Sequence, residues 1–500
     1  MTGMLTALLA ATVYTRPMER VSSVDPIDAQ AVYDSKVVQL VYETPLDIDY
    51  TARPYRLVPG ACELPEVSAD GLVYRFRMRS RGVSAADAVA SLERLRDPAN
   101  ASPGGWTMKE VGSVSVLDGR TFEIRLKARQ HVFPWMMAMS YAAIRRPDGS
   151  GTGPYRLSDW RKNHAMTFTR NPAWWTEHAA ETEPGTPFDE LRFLVIDDVS
   201  TQWLMFLKGE LDFLGEISRD NWDAVVSGDG TLDPRLAAEG VTLHGIPTLS
   251  VIYIAFNMRD PVLGANRKLR QALNCAFDFP AWRAFYNGRV EQATGPVPDG
   301  VAGRLETPFP YAFDLAKAKK LIAEAGYPDG VDPQTGRRLV LTLDIGRASQ
   351  DSRESGELLA SFFARIGVRL ELRFHTWSAF LKAVDEGRTQ MFMMGWVGDY
   401  PDAENFLQLF HSRNVSPGAN HANYVNPGFD AAYDAAMAAT DAATREDGWR
   451  KCQETVREDC PWIFAHYPKS YSLVRARVGN YVPSDFPYGQ ERHLRAEEPK

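Results

Sequence analysis

A mixed α/β chain of more than one domain is the fold class the sequence predicts, and three observations predict it. Its 500 residues exceed what one hydrophobic core usually serves. Residues 339–396 alternate strand-like and helix-like patterns with short connections, as a β-α-β-α-β unit does. Upstream, "GLVYRFRMRS" and "GRTFEIRLKA" read as antiparallel strands preceded by turn residues, so the chain is strand-rich and meandering first and α/β later.

The elements of the α/β stretch follow in order. "LVLTLDI" (339–345) is a continuous apolar run of strand length. In "DSRESGELLASFFARIG", Leu358, Leu359, Phe362, Phe363 and Ile366 recur at helical spacing, and Gly367 stands where the helix should stop. "VRLELRF" (368–374) alternates strictly, with Val368, Leu370, Leu372 and Phe374 on one face. "TWSAFLKAVDEG" reads as a helix capped by Thr376 and ended by Gly387, and "TQMFMMGW" as a third strand. Right-handed crossovers close such a unit as a parallel sheet, and ligands of open α/β sheets bind beyond the carboxyl ends of the strands. If strand 339–345 lies between the other two, the loop carrying Arg347 and the loop carrying Asp399 face one crevice. Two more helices are legible: "FDLAKAKKLIAEAGYPDG", with Asp314 as cap and Gly326 as stop, and "RKLRQALNCAFDFPAW", with Leu269, Leu273 and Phe277 on one stripe.

Composition bounds the function classes. An apolar fraction of 44% with 24% charged residues is that of an ordinary soluble globular protein. The net charge of -8 argues against a general nucleic-acid binder. No P-loop, zincin helix or nucleophile elbow occurs. The nine histidines are scattered, and His411 and His421 are not at metal-ligand spacing, so no metal and no cofactor is expected. None of Cys62, Cys275, Cys452 and Cys460 forms C-x-x-C. Cys452 and Cys460 could not bridge along one helix, where eight residues rise about 12 Å against a Cα limit near 7 Å. No apolar run is long enough to span a membrane. The N-terminal "MTGMLTALLAATVYTRP" reads either as a degraded signal peptide or as a first strand with an extension.

Residues 395–406, "GWVGDYPDAENF", place Asp399, Asp402 and Glu404 beside Trp396, Tyr400 and Phe406 at the end of a buried strand. A solvated loop needs no tryptophan and a core needs no aspartate, whereas a site for a cationic, partly apolar ligand wants both. Asp399 is favoured as the carboxylate that pairs with a ligand cation over a turn-forming aspartate, because an unpaired buried carboxylate is costly. Trp396 either stacks on the ligand or fills the strand end. Arg347 is either a carboxylate clamp or a solvated loop charge. Asp402 and Glu404 read as helix N-terminal carboxylates for "AENFLQLF". Gly398 and Tyr400, flanking Asp399, complete the candidate set. Asn257 reads as a structural hydrogen-bonder, and "NPAWW" (171–175) as core and turn.

An ordered series of segments resembles the extracytoplasmic solute-binding proteins of bacterial ABC importers, of the large dipeptide/oligopeptide class. These are "GTGPYRLSDW" with "MTFTRNPAWW", "FDELRFLVIDDVSTQWLMFLKGELDF", "IAFNMRDPVLGANRKLRQALNCAFD", "FDLAKAKKLIAEAGYPDG", "GWVGDYPDAENFLQLFHS" and, more weakly, "NYVNPGFDAAYDAAM". The resemblance implies a two-lobed, type II periplasmic-binding-protein-like α/β fold. Lobe I would comprise 13–247 plus 470–500, with an extra subdomain at about 45–150, and lobe II would comprise 248–469. "MRSRGVSAADAVASLERL" and "AAIRRPDGS" are shorter than the family pattern, so that subdomain should be reduced and one pocket wall open. The family pattern implies that Asp399 takes a ligand α-ammonium and, within a residue of the matching place, that Arg347 takes a carboxylate. It further implies a non-enzymatic, periplasmic or extracytoplasmic protein. That protein, a monomer, would enclose a small, peptide-like solute between its lobes and deliver it to a membrane permease. The rival readings are a hydrolase pairing Asp399 with Asp402 or Glu404, and a ligand-sensing component of a regulatory system.

Overall fold

Alternation of apolar and charged residues along the early strands sets their inner faces. The computed structural model describes residues 11–497 apart from 30, 80, 81, 181, 220, 228–230 and 485–487. Contacts divide the chain into two compact units, Met1–Ile246 with Ser470–Lys500, and Pro247–Lys469. In unit one, Val13–Met18, Glu190–Val195, Ala165–Arg170 and Tyr155–Arg161 form a four-stranded sheet in that order, the first pair parallel and the others antiparallel. Tyr14, Phe168, Leu191 and Phe193 on its inner face pack with Val37, Val38, Leu40 and Val41 of the helix Val32–Val41. A second four-stranded sheet, Glu66–Val67, Val73–Arg77, Thr121–Leu126 and Val111–Val116, is antiparallel throughout. Tyr74 and Phe76 point inward while Arg75 and Arg77 face water, and Phe76 stacks on Phe122 at 5.1 Å. The helix Ala85–Arg96 lies against this sheet, its start fixed by a reciprocal Ser84–Asp87 capping box.

In unit two the strands run Trp462–Arg475 (its residues up to Lys469), Ser250–Phe256, Met391–Val397, Val340–Ile345 and Arg369–Phe374. Val340–Ile345 is parallel to both of its neighbours and lies between them, the arrangement on which the shared-edge expectation depended. The helices Gln350–Ala364 and Trp377–Asp385 are the crossovers. Leu359, Phe362, Phe363 and Ile366 join Leu341, Leu343 and Ile345 in the main core, with Leu269, Leu273, Phe277, Ala318 and Ile322 from the helices Arg267–Ala276 and Leu315–Glu324 and the residue following the first. Gly367 has φ +81°, and a Cβ there would stand 1.9 Å from the Asp329 carbonyl oxygen, so both turn geometry and close approach require glycine. Asp314 caps as expected, accepting from the Lys317 amide. Thr376 holds the cap position but its side chain makes no capping bond, a departure from the expectation.

Asn257 is buried and donates to the carbonyls of Gly387 and Thr389, tying the end of Ser250–Phe256 to the turn before Met391–Val397. All four cysteines are free and buried. Cys452 lies in the helix Ala442–Asp459, and Cys460 ends it in a left-handed conformation with φ +49°. His411 and His421 face different carboxylates, the first Asp430 and Asp434, the second Asp385. Among the described residues, no helix is long and apolar enough to cross a membrane.

Candidate functional site

The carboxyl edge of the parallel strands in unit two carries the chemistry. Met391–Val397 extends beyond its neighbour: Ile345 is level with Met393, while Val397 pairs onward with Ser250. Gly398 continues this course, donating its amide to the Leu249 carbonyl at 2.8 Å. A Cβ at Gly398 would meet Leu249 at 2.6 Å and Phe406 at 2.9 Å. Glycine is therefore needed for the turn to close onto the short helix Ala403–Leu407. Gly398 is buried and positions its neighbour rather than facing a ligand.

One residue organises the turn. Asn405, fully buried, accepts at Oδ1 from the Trp396 indole N–H at 2.9 Å and from the Asp399 amide at 3.1 Å. Its Nδ2 donates to Asp399 Oδ2 at 3.2 Å. The Asp399 side chain is exposed to solvent, yet the surrounding chain crowds it. Desolvation pushes its pKa above the usual aspartate value, with the Asn405 hydrogen bond opposing the rise. No cation pairs with it among the described residues. Trp396 is half-buried with its indole N–H committed, so only part of its ring is available to a ligand.

The neighbouring acids are spent on structure. Asp402 caps the helix, accepting from the Glu404 amide at 2.9 Å, as its position in the sequence suggests. Glu404 lies in the first turn of the helix, as its position in the sequence suggests, but it is 7% exposed and accepts from the hydroxyls of Tyr400 and Tyr433. Tyr400 is therefore turned inward, 3% exposed, and corrects its assignment as a ligand contact. Burial, then the Glu404 charge, drives both tyrosine pKa values well above their ordinary value, so both hydroxyls remain donors. Asp402 and Glu404 thus each hold a structural hydrogen bond, at a helix cap and between two tyrosine hydroxyls.

Arg347 lies exposed two residues past Ile345, at the same edge of the sheet as Asp399. Asp399 follows the neighbouring strand, two residues past its end at Val397. Both follow strands of one parallel pair, and no ion pair joins them among the described residues. Sequence reasoning overlooked two further residues. Trp377, 57% exposed, lies over Gly346, where a Cβ would stand 2.8 Å from its ring. Its place at a helix start carries no signal beyond an ordinary amphipathic pattern. Asn405 sits in a short polar helix start and gives no local sign that it reaches back to Asp399. Val397, 62% exposed, adds apolar surface at the same edge.

Comparison with known proteins follows this geometry. The family model for bacterial extracellular solute-binding proteins, family 5 (middle region), matches residues 56–417. Heme-binding protein A of Haemophilus influenzae is 28% identical over 478 residues, covering 86% of this chain and 82% of its own. The dipeptide-binding protein of Escherichia coli is 24% identical over 499 residues, covering 90% and 88%. Among solved structures, HbpA2 from Haemophilus parasuis superposes with a TM-score of 0.80 at 25% identity, over 97% of this chain and 99% of that one. The periplasmic binding protein DppA from Helicobacter pylori, in complex with the peptide STSA, gives 0.77 at 22% identity, over 97% and 98%.

Proposed function

Because the chain belongs to the bacterial extracellular solute-binding proteins of family 5, we propose that its Asp399 edge captures the ammonium of a peptide-like solute bound for the permease of an ABC importer. The observation that carries this reading is the state of Asp399: an exposed carboxylate held in one geometry by Asn405, crowded, and with no cation of its own. An ammonium supplies the missing charge, and a charge-assisted hydrogen bond of this kind contributes about 1.5–3 kcal/mol. Arg347, offset along the same edge, takes the solute carboxylate. Trp377 and Val397 offer apolar surface to the solute side chains. The relatives named for dipeptide binding support the solute class. The protein works outside the cytoplasm and binds without chemical turnover.

The test is calorimetric titration with di- and tripeptides beside their N-acetylated forms, which lack the ammonium. Free peptides should bind and acetylated ones should lose about tenfold or more in affinity. Asp399→Asn should erase that difference. Equal binding of free and acetylated peptides by the wild type would remove the basis for assigning Asp399.

A further inference from the structure

The strand Val111–Val116 ends the second sheet of unit one, and among the described residues it pairs with Thr121–Leu126 alone. The register fixes which backbone groups face its open side. Leu117 donates its amide to the Thr121 carbonyl at 2.8 Å, so hydrogen-bonded pairs recur at Ser115–Glu123 and Ser113–Arg125. Val114 and Val116 lie between these pairs and turn their N–H and C=O groups away from the sheet.

A bulge between Val111 and Ser113, and a bond from Arg96 to the Gly112 carbonyl at 3.0 Å, protect the first residues of this edge. Beyond them the edge is bare. The run "SVSVL" (113–117) has no charge and no proline, and Val116 and Leu117 are 45% and 52% exposed. Three other outer strands are guarded. Tyr155–Arg161 carries Arg156, Asp159 and Arg161, Arg369–Phe374 carries Arg369, Glu371 and Arg373, and Glu66–Val67 is only two residues long.

The residues also select the partner. Two copies of the strand set antiparallel about Ser115 bring Val114 of each level with Val116 of the other, so the outward backbone groups of both are matched. Val114 and Val116 lie opposite Ile124 and Phe122, on the inner face of the sheet, so the same register gathers the valines of both copies on that face. The ends then meet with opposite charge, Glu110 of each copy near Arg120 of the other. Neither residue has an ion pair among the described residues, and the Arg120 guanidinium donates only to the carbonyls of Met78 and Arg79.

We propose that this edge pairs with the same edge of a second copy of the chain, joining two four-stranded sheets into one. The family pattern implies a monomer, so the dimer is a property of this chain's own strand. It stands apart from the Asp399 reading and survives or fails without it.

Sedimentation velocity of the full chain from about 1 µM to about 1 mM should show a monomer giving way to a dimer by mass action. Hydrogen exchange read by mass spectrometry should slow over residues 113–117 at the upper concentration, while residues 250–256 in unit two exchange unchanged. Val116→Pro removes an outward N–H, which an edge strand tolerates, and should weaken the dimer about tenfold or more. Glu110→Arg should weaken it about fivefold or more, and adding Arg120→Glu should restore it. Circular dichroism checks each fold, and the charge exchange carries the comparison if the proline variant is misfolded. A wild type that stays monomeric, a dimer without slower exchange over 113–117, or an undiminished dimer of the folded variants would each overturn the proposal. Binding of a free SVSVL peptide by a chain that never dimerises would assign the edge to a foreign strand and overturn it as well.

Discussion

Replacing Asn405 with alanine is the sharpest perturbation of the candidate site, because one side chain serves three partners. Its removal leaves the Trp396 indole N–H and the Asp399 amide without their acceptor and strips a donor from the Asp399 carboxylate. A buried donor left unmet costs about 1–3 kcal/mol, and Trp396 falls at the lower end because water reaches part of it. The expected loss is about 2–4 kcal/mol, or roughly 5–15 °C in the melting transition of unit two. Urea unfolding followed by tryptophan fluorescence should show a lower midpoint at unchanged slope. The functional consequence has a definite sign. The Asn405 hydrogen bond is what holds the Asp399 pKa down against desolvation, so without it that pKa moves farther up. Peptide affinity should then begin to fall at a higher pH on acidification than in the wild type. Asn405→Asp keeps the acceptor but sets a like charge against Asp399, so it should match the wild type more closely in acid than at neutral pH. A folded Asn405→Ala variant with wild-type melting temperature and wild-type peptide affinity would refute the argument.

Three further outcomes follow from the same geometry. Asp399 has a folded-state pKa raised above its unfolded value, so its ionisation destabilises the fold, and stability is lost as pH rises through the window just above the ordinary aspartate range. Asp399→Asn should flatten the melting temperature across that window and raise it at pH 7 in the absence of solute. Gly367→Ala forces a Cβ against the Asp329 carbonyl oxygen in a left-handed conformation, and urea unfolding should report a loss of about 2–4 kcal/mol. His466 is buried and accepts from the Trp282 indole at Nδ1, and desolvation holds its pKa down to about 3. Its stabilisation is lost as pH falls below about 6.5, by up to about 4–5 kcal/mol at pH 3, and His466→Gln should flatten that acid limb of the unfolding curve.

What the sequence made legible is what chain-local periodicity controls. Leu359, Phe362 and Phe363 recur at helical spacing and are buried, Leu370 and Leu372 alternate with exposed charges, and the central place of Val340–Ile345, which periodicity and handedness leave open, is set by its pairing with both neighbours. Local geometry also sufficed for Asp402, whose capping bond reaches only two residues onward. It failed where a partner lies far along the chain. Glu404 looks like any helix-start carboxylate until Tyr433, in a separate helix, closes over it. With Glu404 drawn inward, Tyr400 must follow, because its hydroxyl donates to the same carboxylate.

The burial of Glu404 bears directly on how Asp399 can serve as a receptor. A loop that must order itself on binding loses part of its affinity to that ordering, whereas a loop fixed beforehand does not. Here the turn is fixed from three sides: Gly398 against Leu249 and Phe406, Asn405 against Trp396 and the Asp399 amide, and Glu404 between two tyrosine hydroxyls. Each of these contacts holds backbone or neighbours, and only the 3.2 Å bond from Asn405 touches the Asp399 carboxylate itself. The acid therefore keeps most of its acceptor capacity while losing most of its freedom. Crowding raises its pKa without neutralising it through a partner, so the fold carries an electrostatic cost that an incoming ammonium relieves. A cation built into the protein at this point would make the turn more stable and occupy the acceptor, and an exposed carboxylate with one amide donor and no cation among the described residues favours the receptor reading over a structural brace.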